Sequence, residues 1–461
     1  MNLERFIAAL GPVEVVHAAP GGGAAIEVSD LAYDTRSVTP GAVFFCVRGR
    51  HADGHAFAPE AAARGAAALV VEEPVPVELP QLVVPGVRAA MPVAADLFFD
   101  SPSHALDVAA VTGTNGKTTT AFLMHSILQT AGRRSGLLTN IERRVGGAPR
   151  PTGLNTPEAI DLQRLLREMA DAGDDACVLE ATSGGSVEGR LERIHFAVLV
   201  FTNLTQDHLD YHGTMEAYFE AKAALFAQAE RAVVNVAGEW GQRLAATLPD
   251  AITFDSSSDV LDGIDLRLRG AFNRENAIGA ALAAEALGID RDAIARGIES
   301  LGGVPGRFEA IDAGQPFTVI VDYAHTPDSL ENVLRAARGL GDGRLTLVFG
   351  AGGDRDRGKR PQMGAVAAAL ADRAILTSDN PRSEAPEAIA AEVAAGAPGR
   401  LEQELDRRAA IELALADAGP DEIVVVAGRG AEPEQELAAG KVPFDDRLVV
   451  RDVLDRVATR R

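Results

Sequence analysis

Ala109-Ala110-Val111-Thr112-Gly113-Thr114-Asn115-Gly116-Lys117-Thr118-Thr119-Thr120 decides how this chain is read. The mostly apolar run Leu106 to Val111 suits a buried strand, and Ala121-Phe122-Leu123-Met124-His125-Ser126-Ile127-Leu128 has helical apolar spacing. A strand, a glycine-bearing turn and a helix N-terminus together make a phosphate cradle. Gly113 and Gly116 let backbone amides approach an anion, and the helix dipole favours negative charge there. Lys117 can reach terminal phosphates, and the Thr118 hydroxyl can hold Mg2+. The general P-loop pattern has a glycine where Val111 stands, so this is a shortened variant.

The rest of the chain is consistent with such a site. Its 461 residues leave room for about two to four domains with substantial cores. Hydrophobic residues make up 47%, with few aromatics and much alanine and glycine, which suggests an α/β protein. A formal charge of -22 argues against nucleic-acid binding, because a phosphate backbone would meet repulsion. An anionic ligand therefore needs a locally basic pocket. Cys46 and Cys177 both lie in apolar runs and read as small core residues. With no leader pattern at the N-terminus and no run of membrane-spanning length, a cytoplasmic enzyme without membrane insertion is expected.

Three regions follow from the pattern: 1–104, 105–308 and 309–461. In the first, Val28 to Val47 reads as two short strands joined by the polar turn Asp34-Thr35-Arg36. The basic loop Arg48-Gly49-Arg50-His51-Ala52-Asp53-Gly54-His55 fits either a solvated turn or a receiver for a diphosphate. Ala61 to Ala67 reads as a helix and Ala68 to Val71 as a strand. In the second region the chain runs from Leu137-Leu138-Thr139-Asn140 through a polar loop to Thr152. Asn155, Thr156 and Pro157 suit the capped start of a helix over 159–172. Strand 176–179 delivers Glu180, and strand 197–201 delivers Thr202 to His208. Ligands of open parallel sheets bind outside the carboxyl ends of the strands, so Glu180, His208 and the loop after Val111 should converge. Mg2+ prefers hard oxygen ligands, which suits Glu180 and Thr118 better than His208.

Six stretches, in order and covering nearly the whole chain, make the reading specific: GTNGKTTT at 113–120, NLTQDHLDYHGTMEAYFEAK at 203–222, FNRENA at 272–277, VPGRFE at 304–309, DYAHTPDSL at 322–330 and GAGGDRDRGKRPQMG at 350–364. The set resembles the Mur ligases, ATP-dependent enzymes that add amino acids to the UDP-linked peptidoglycan precursor. That resemblance implies a three-domain α/β architecture: an N-terminal UDP-sugar domain, a central P-loop ATPase sheet and a C-terminal Rossmann-like amino-acid domain. It also implies ATP and Mg2+ as cofactors and N-carboxylation of Lys222. A carbamate supplies anionic oxygens where an ammonium cannot bind a cation, and its formation needs a neutral amine. The local sequence alone equally fits a surface lysine on a helix.

Further roles are carried over in the same way. Lys117, Glu180, His208 and Lys222 would be catalytic, with Thr118, Glu180, His208 and Lys222 around the metal. ATP would meet Gly113, Thr114, Asn115, Gly116, Lys117, Thr118 and Thr119, with adenine at Asn276, a further contact from Arg307 and ribose at Asp322. Asn276 also fits a hydrogen bond inside its helix, and Arg307 a hinge salt bridge. UDP-substrate contacts would come from Thr35, Arg50, His51, Ala52, Asn155, Thr156, Thr182, Glu188 and Arg190.

The last region shows strands at 317–321, 345–349, 374–377 and 423–427 between helical stretches, a second doubly wound unit. Gly350-Ala351-Gly352-Gly353 lacks the full dinucleotide spacing, so a nicotinamide site is discounted. Asp379-Asn380-Pro381-Arg382 reads locally as a proline turn, yet an arginine beside an asparagine at a sheet edge can grip a carboxylate through paired bonds. It resembles the signature of the meso-diaminopimelate-adding branch. Arg382 would bind the distal carboxylate, Arg355 would lie near the carboxyl end and Glu432 near the distal amine, with Asp379, Asn380, Pro381 and Gly428 completing the pocket. The expected reaction joins meso-diaminopimelate to UDP-N-acetylmuramoyl-L-alanyl-D-glutamate through an acyl phosphate, in a monomer. Two departures stand out: Thr182-Ser183-Gly184 where the family usually has Ser-Ser-His, and Gly428-Arg429-Gly430-Ala431-Glu432 where it usually has Gly-Lys-Gly-His-Glu. A lysine-adding relative and a nucleotide-binding paralogue with decayed catalysis are the competing readings.

Overall fold

Alternation along Val43-Phe44-Phe45-Cys46 builds two cores at once. Val43 and Phe45 join Leu3, Phe6, Val87 and Met91, whereas Phe44 and Cys46 join Ala58, Ala61 and Leu69. This is the two-residue period of a strand covered on both faces. The computed structural model describes residues 1–17, 26–49 and 52–459. Arg50 and His51, both expected UDP contacts, lie outside the described residues. The chain forms two compact units, one of Met1–Ala110, Arg133–Val198 and Ala224–Glu230, the other of Val111–Gly132, Leu199–Ala223 and Arg231–Arg461.

In the first unit a five-stranded sheet has the order Glu14–Val16, Gln81–Val83, Ala68–Val71, Ala42–Phe45, Asp30–Ala32. Only its first pairing is antiparallel. Helices Leu3–Leu10 and Val87–Phe98 contribute to the core on one face, and the shorter Ala58–Ala63 to that on the other. That short helix starts earlier than its alanine run suggests, because Pro59 suits a first turn. Strand Ala176–Glu180 pairs in parallel with Ser135–Leu138. The stretch read as a polar loop before Thr152 is instead a hairpin, Arg143–Val145 against Ala148–Arg150. Its two-residue turn uses Gly146 and Gly147 at φ +58° and +77°, the doubly positive geometry that matches strand twist. Cys46 and Cys177 are buried free thiols, and burial pushes Cys46 up to about 12.

The second unit carries the cradle helix Lys117–Thr130 together with helices Ala271–Ala286 and Arg291–Ser300. Ala277, Ala280, Ala281, Ala283 and Ala284 are buried there, so the alanine-rich composition becomes small side chains that let helices approach closely. At Gly297 an added Cβ would lie 2.5 Å from Ile127 Cα, and Ser126 Oγ donates to Gly297 O at 2.7 Å. Gly297→Ala should therefore destabilise the second unit by about 1–3 kcal/mol through overpacking. A lower denaturant midpoint at unchanged slope is the expected result, and an unchanged midpoint contradicts it.

The six-stranded sheet of this unit has the order Glu309–Ala310, Thr318–Asp322, Ile423–Ala427, Leu345–Phe349, Arg373–Leu376, Glu402–Gln403. All pairings but the first are parallel. Ile320, Leu347, Phe349 and Val425 pack on one side with residues of helices Pro327–Arg338, Lys359–Leu370 and Pro386–Ala394. Val319, Val321, Val348 and Val426 pack on the other side with residues of Arg407–Ala416 and Asp446–Thr459. The doubly wound expectation holds. A further hairpin, Glu434–Leu437 with Gly440–Pro443, is an addition that the sequence pattern did not announce.

Candidate active site

The cradle is shaped by two glycines that admit no side chain. Gly113 has φ +146°, and a Cβ there would meet Thr202 Oγ1 at 1.9 Å; Gly116 has φ +86° and would meet Asn276 Oδ1 at 2.2 Å. The loop is held from the neighbouring strand end. Thr202 Oγ1 donates to Asn115 O at 2.6 Å, Asn115 N–H donates to Asn203 Oδ1 at 2.9 Å, and Thr114 N–H to Asn203 O at 2.9 Å. Lys117 curls over the turn and donates to Gly113 O and Thr114 O at 3.0 and 2.8 Å. Asn276 is buried, and its Nδ2 donates to Asn273 Oδ1, so the intrahelical bond and the position against Gly116 coexist.

Two amines converge on one carbonyl. Lys222, fully buried, donates to Gly113 O at 2.8 Å, the same oxygen that accepts from Lys117, and its Nζ lies 4.7 Å from the centre of the Tyr218 ring. Burial, then the charge of Lys117, hold its pKa well below the ordinary lysine value, with Asp207 opposing. The surface-lysine alternative is thereby excluded. His208 keeps 47% of its side chain exposed; partial desolvation lowers its pKa, Lys117 and Lys222 reinforce this, and Asp207 opposes it. His208 is therefore a neutral imidazole with a lone pair to offer. Asp207, in contrast, stays ionised. Burial works against this, but the hydrogen bond with His325 and the charge of Lys359 more than offset it. Lys359 Nζ lies 3.1 Å from Asp207 Oδ1. Asp207, Lys359 and Tyr218 were not singled out from the sequence, although each sits inside a quoted motif. What would have flagged them is a buried charge or hydroxyl, which only the fold reveals.

Among the described residues Arg307 bonds a hydroxyl rather than a carboxylate. Its guanidinium donates to Thr118 Oγ1 at 2.9 Å and lies over the Tyr323 ring at 4.2 Å. Asp322 accepts Phe308 N–H and Ala324 N–H at 2.6 and 2.7 Å, so it organises the turn bearing Arg307; burial raises its pKa. Asn115 Nδ2 donates to Asp328 Oδ2 at 2.8 Å, which ties the cradle to the start of helix Pro327–Arg338.

The Asp379-Asn380-Pro381-Arg382 turn meets the Gly350–Gly353 loop so closely that a Cβ on Gly353 would lie 1.9 Å from Pro381 O. Close loop packing thus explains those glycines. Arg382, at φ +53°, donates to Glu436 Oε2 at 2.9 Å and Gly353 O at 2.7 Å. An added Cβ on Gly352 would sit 3.1 Å from Arg382 Nη1 and 3.7 Å from Arg355 Cγ, so both arginines flank one glycine. Asn380 Nδ2 donates to Glu432 Oε2 at 2.9 Å, and Tyr323 OH to Glu432 Oε1 at 3.1 Å. Asp379 is buried with Oδ2 unpartnered, and a Cβ on Gly428 would lie 2.4 Å from that oxygen. The expected amino-acid residues therefore do gather at one sheet edge.

In the first unit Asn155 and Thr156 do not cap the following helix, whose N-cap is Glu158. Thr156 Oγ1 instead bonds Glu180 O at 3.0 Å and Thr182 Oγ1 at 2.8 Å, and Asn155 Nδ2 donates to Glu180 Oε2 at 3.3 Å. The capping expectation fails because long-range partners at a strand end outcompete the local ones. Arg190 donates to Thr156 O and pairs with Glu158 and Glu188 at 3.1 and 2.5 Å. Thr35 opens a 3-10 turn, and Ala52 O accepts from Gly49 N–H. Arg48 is engaged by Asp53, Glu72 and Glu73, so its charge is offset within the fold.

Family models match in chain order: Mur ligase family, catalytic domain, over 27–96; Mur ligase middle domain over 111–262; and Mur ligase, glutamate ligase domain, over 306–430. A UDP-N-acetylmuramoyl-L-alanyl-D-glutamate--2,6-diaminopimelate ligase of Bacillus cereus is 40% identical over 93% of this chain and 94% of its own. One of the same description from Gloeobacter violaceus is 42% identical over 94% and 95%. A solved ligase structure of that description shares 32% identity with TM-score 0.66, covering 99% of both chains. The MurF ligase of Thermotoga maritima in complex with ADP, at 19% identity and TM-score 0.66, shares the fold. This chain, with its glycine cradle and buried lysine, belongs to the Mur ligase family of ATP-dependent, amide-forming ligases.

Proposed function

We propose that this protein adds meso-diaminopimelate to UDP-N-acetylmuramoyl-L-alanyl-D-glutamate at the expense of ATP, in peptidoglycan precursor synthesis. The observation that carries the choice of amino acid is the cluster of Arg382, Arg355, Asn380 and Glu432 at one sheet edge. Two guanidinium groups suit carboxylates, and a carboxylate held by two donors suits an ammonium. The relatives' names agree with this reading.

In the reaction, the terminal carboxylate of the precursor attacks the γ-phosphorus, ADP leaves, and amine attack on the acyl phosphate forms the amide and releases phosphate. Lys117 and the amides of Gly113 to Thr119 bind the phosphates and stabilise the charge spreading over the transferred group. Asn276, Arg307 and Asp322 serve the nucleoside side. Thr35, Arg50, His51, Ala52, Asn155, Thr156, Thr182, Glu188 and Arg190 serve the UDP precursor. Arg355, Asp379, Asn380, Pro381, Arg382, Gly428 and Glu432 serve the amino acid.

Mg2+ accompanying ATP neutralises phosphate charge, and Thr118, Glu180, His208 and an N-carboxylated Lys222 are the groups that would hold it. The residues fit. The lowered pKa values of His208 and Lys222 both favour the neutral forms, and CO2 capture needs a neutral amine. Among the described residues no group of three or more His, Cys, Asp and Glu side chains could hold a metal ion.

Residues 1–104 hold the sugar nucleotide, 105–308 the ATP and 309–461 the amino acid, in a cytoplasmic monomer. Among the described residues no helix is long and apolar enough to cross a membrane. Phosphate release measured with the UDP precursor should appear with meso-diaminopimelate and stay near background with L-lysine or no amino acid. Equal release with L-lysine assigns a lysine-adding enzyme. ATP binding without release under any condition assigns a scaffold.

A further inference from the structure

Asn380 can serve the amino-acid pocket in only one of its two amide orientations. Its Oδ1 accepts from Arg429 Nη1 at 2.6 Å and from Glu436 N–H at 2.8 Å, which leaves Nδ2 to donate to Glu432 Oε2 at 2.9 Å. Flipped, the amide would aim N–H groups at two donors and an oxygen at a carboxylate. Two faulty contacts and one lone-pair repulsion decide the orientation. Of the two groups that enforce it, one is backbone and the other is Arg429.

Arg429 is fully buried. Its second arm donates to Glu434 O and Phe444 O at 2.7 and 3.0 Å, which braces the guanidinium against the flanks of the hairpin Glu434–Leu437 and Gly440–Pro443. Its Cζ lies 5.6 Å from the centre of the Phe444 ring, and Nη1 stands 3.7 Å from Glu432 Oε2. This planar fork reaches the asparagine and the hairpin together. A lysine at 429, which the family pattern leads one to expect, has its three N–H donors on one nitrogen and cannot span the asparagine and the hairpin with the geometry of the fork.

We propose that Arg429 is a positioning residue for amino-acid selection: by fixing the Asn380 amide it presents the Glu432 carboxylate to the ammonium group of a diamino-acid substrate. This rests on the function proposed above. Arg429 does not touch the substrate; it acts through Asn380 and Glu432.

The test is steady-state kinetics of the full-length chain with its three substrates varied in turn, for wild type, Arg429→Met and Arg429→Lys. Arg429→Met should raise KM for meso-diaminopimelate by about 10- to 100-fold, the cost of losing a charge-assisted hydrogen bond. KM for ATP and for the UDP precursor should stay within about twofold, and Arg429→Lys should recover part of the loss. A rise in all three KM values together, or an insoluble Arg429→Met accompanied by a wild-type-like Arg429→Lys, reduces Arg429 to a structural brace and overturns the proposal. So does an unchanged KM for the amino acid. Wild type inactive with meso-diaminopimelate overturns instead the function on which it rests.

Discussion

Lys222→Met should lower turnover by about a thousandfold while leaving the protein no less stable, which is unusual for a buried position. The activity loss follows from the chemistry of the side chain. In the proposed reaction a carboxylated Lys222 would offer anionic oxygens beside Gly113, whose carbonyl its amine meets. Methionine offers none. The stability half follows from proton linkage. Lys222 has a folded pKa well below the ordinary 10.5, so between those two values the unfolded chain binds a proton that the folded chain refuses. Its contribution to stability is therefore intact above 10.5 and is lost as pH falls through that window. At neutral pH the lysine is a net cost, and methionine of similar length removes it. Thermal melting without bicarbonate or Mg2+ should show an equal or higher midpoint for Lys222→Met. A clear drop means that the bond to Gly113 O and the Tyr218 contact outweigh the cost of burying the amine. The smaller Lys222→Ala should regain partial activity with a short carboxylate that fills the vacated space. Full activity without any carboxylate would exclude the role.

Arg382→Ala should reduce kcat/KM for meso-diaminopimelate by about 100- to 1000-fold, while that for L-lysine changes by less than about threefold. Lysine has no distal carboxylate, so it gains nothing from this guanidinium in the wild-type protein. The arginine is held for its task. Nε is engaged by Glu436 and Nη1 by Gly353 O, and its backbone is fixed at φ +53° by the turn after Pro381. Glu436 is an internal carboxylate already paired with this arginine at 2.9 Å. Arg382→Lys should restore little, because a point charge cannot reproduce the fork. Competition between the two amino acids in one reaction measures the ratio directly. If both substrates lose equally, Arg382 only holds the 353 and 436 segments together.

The strand-turn-helix cradle was legible in the sequence because its signal is local. A buried strand, two glycines and Lys117-Thr118 occupy consecutive positions, and the glycines must be glycine: Gly113 and Gly116 have positive φ and side-chain atoms pressed against them. The strands of the last region were legible for the same reason, as nearly continuous apolar runs buried on both faces. The hairpin at 143–150 was missed because its strands are short and half exposed, so they lack the apolar alternation that marks a covered strand.

Local reasoning fails where a side chain has two possible partners. Asn155 and Thr156 have the spacing of caps, yet they bond to Glu180 and Thr182, about 25 residues away along the chain. Arg307 has the position of a hinge, yet it stacks on Tyr323 and reaches Thr118. Buried long-range bonds outcompete exposed local ones, because a buried polar group left unpaired costs more than a cap gains.

By itself the order of residues determined the strand-turn-helix cradle, the doubly wound C-terminal sheet and the family, since each depends on neighbours in sequence or on motifs in a set order. Tertiary structure alone decided protonation and orientation. The pKa of Lys222 is lowered by burial and by the charge of Lys117, and Asn380 faces Glu432 because Arg429 and Glu436 take its oxygen. Both are consequences of desolvation and hydrogen-bond geometry among groups far apart in the chain, and such quantities exist only once the chain has folded.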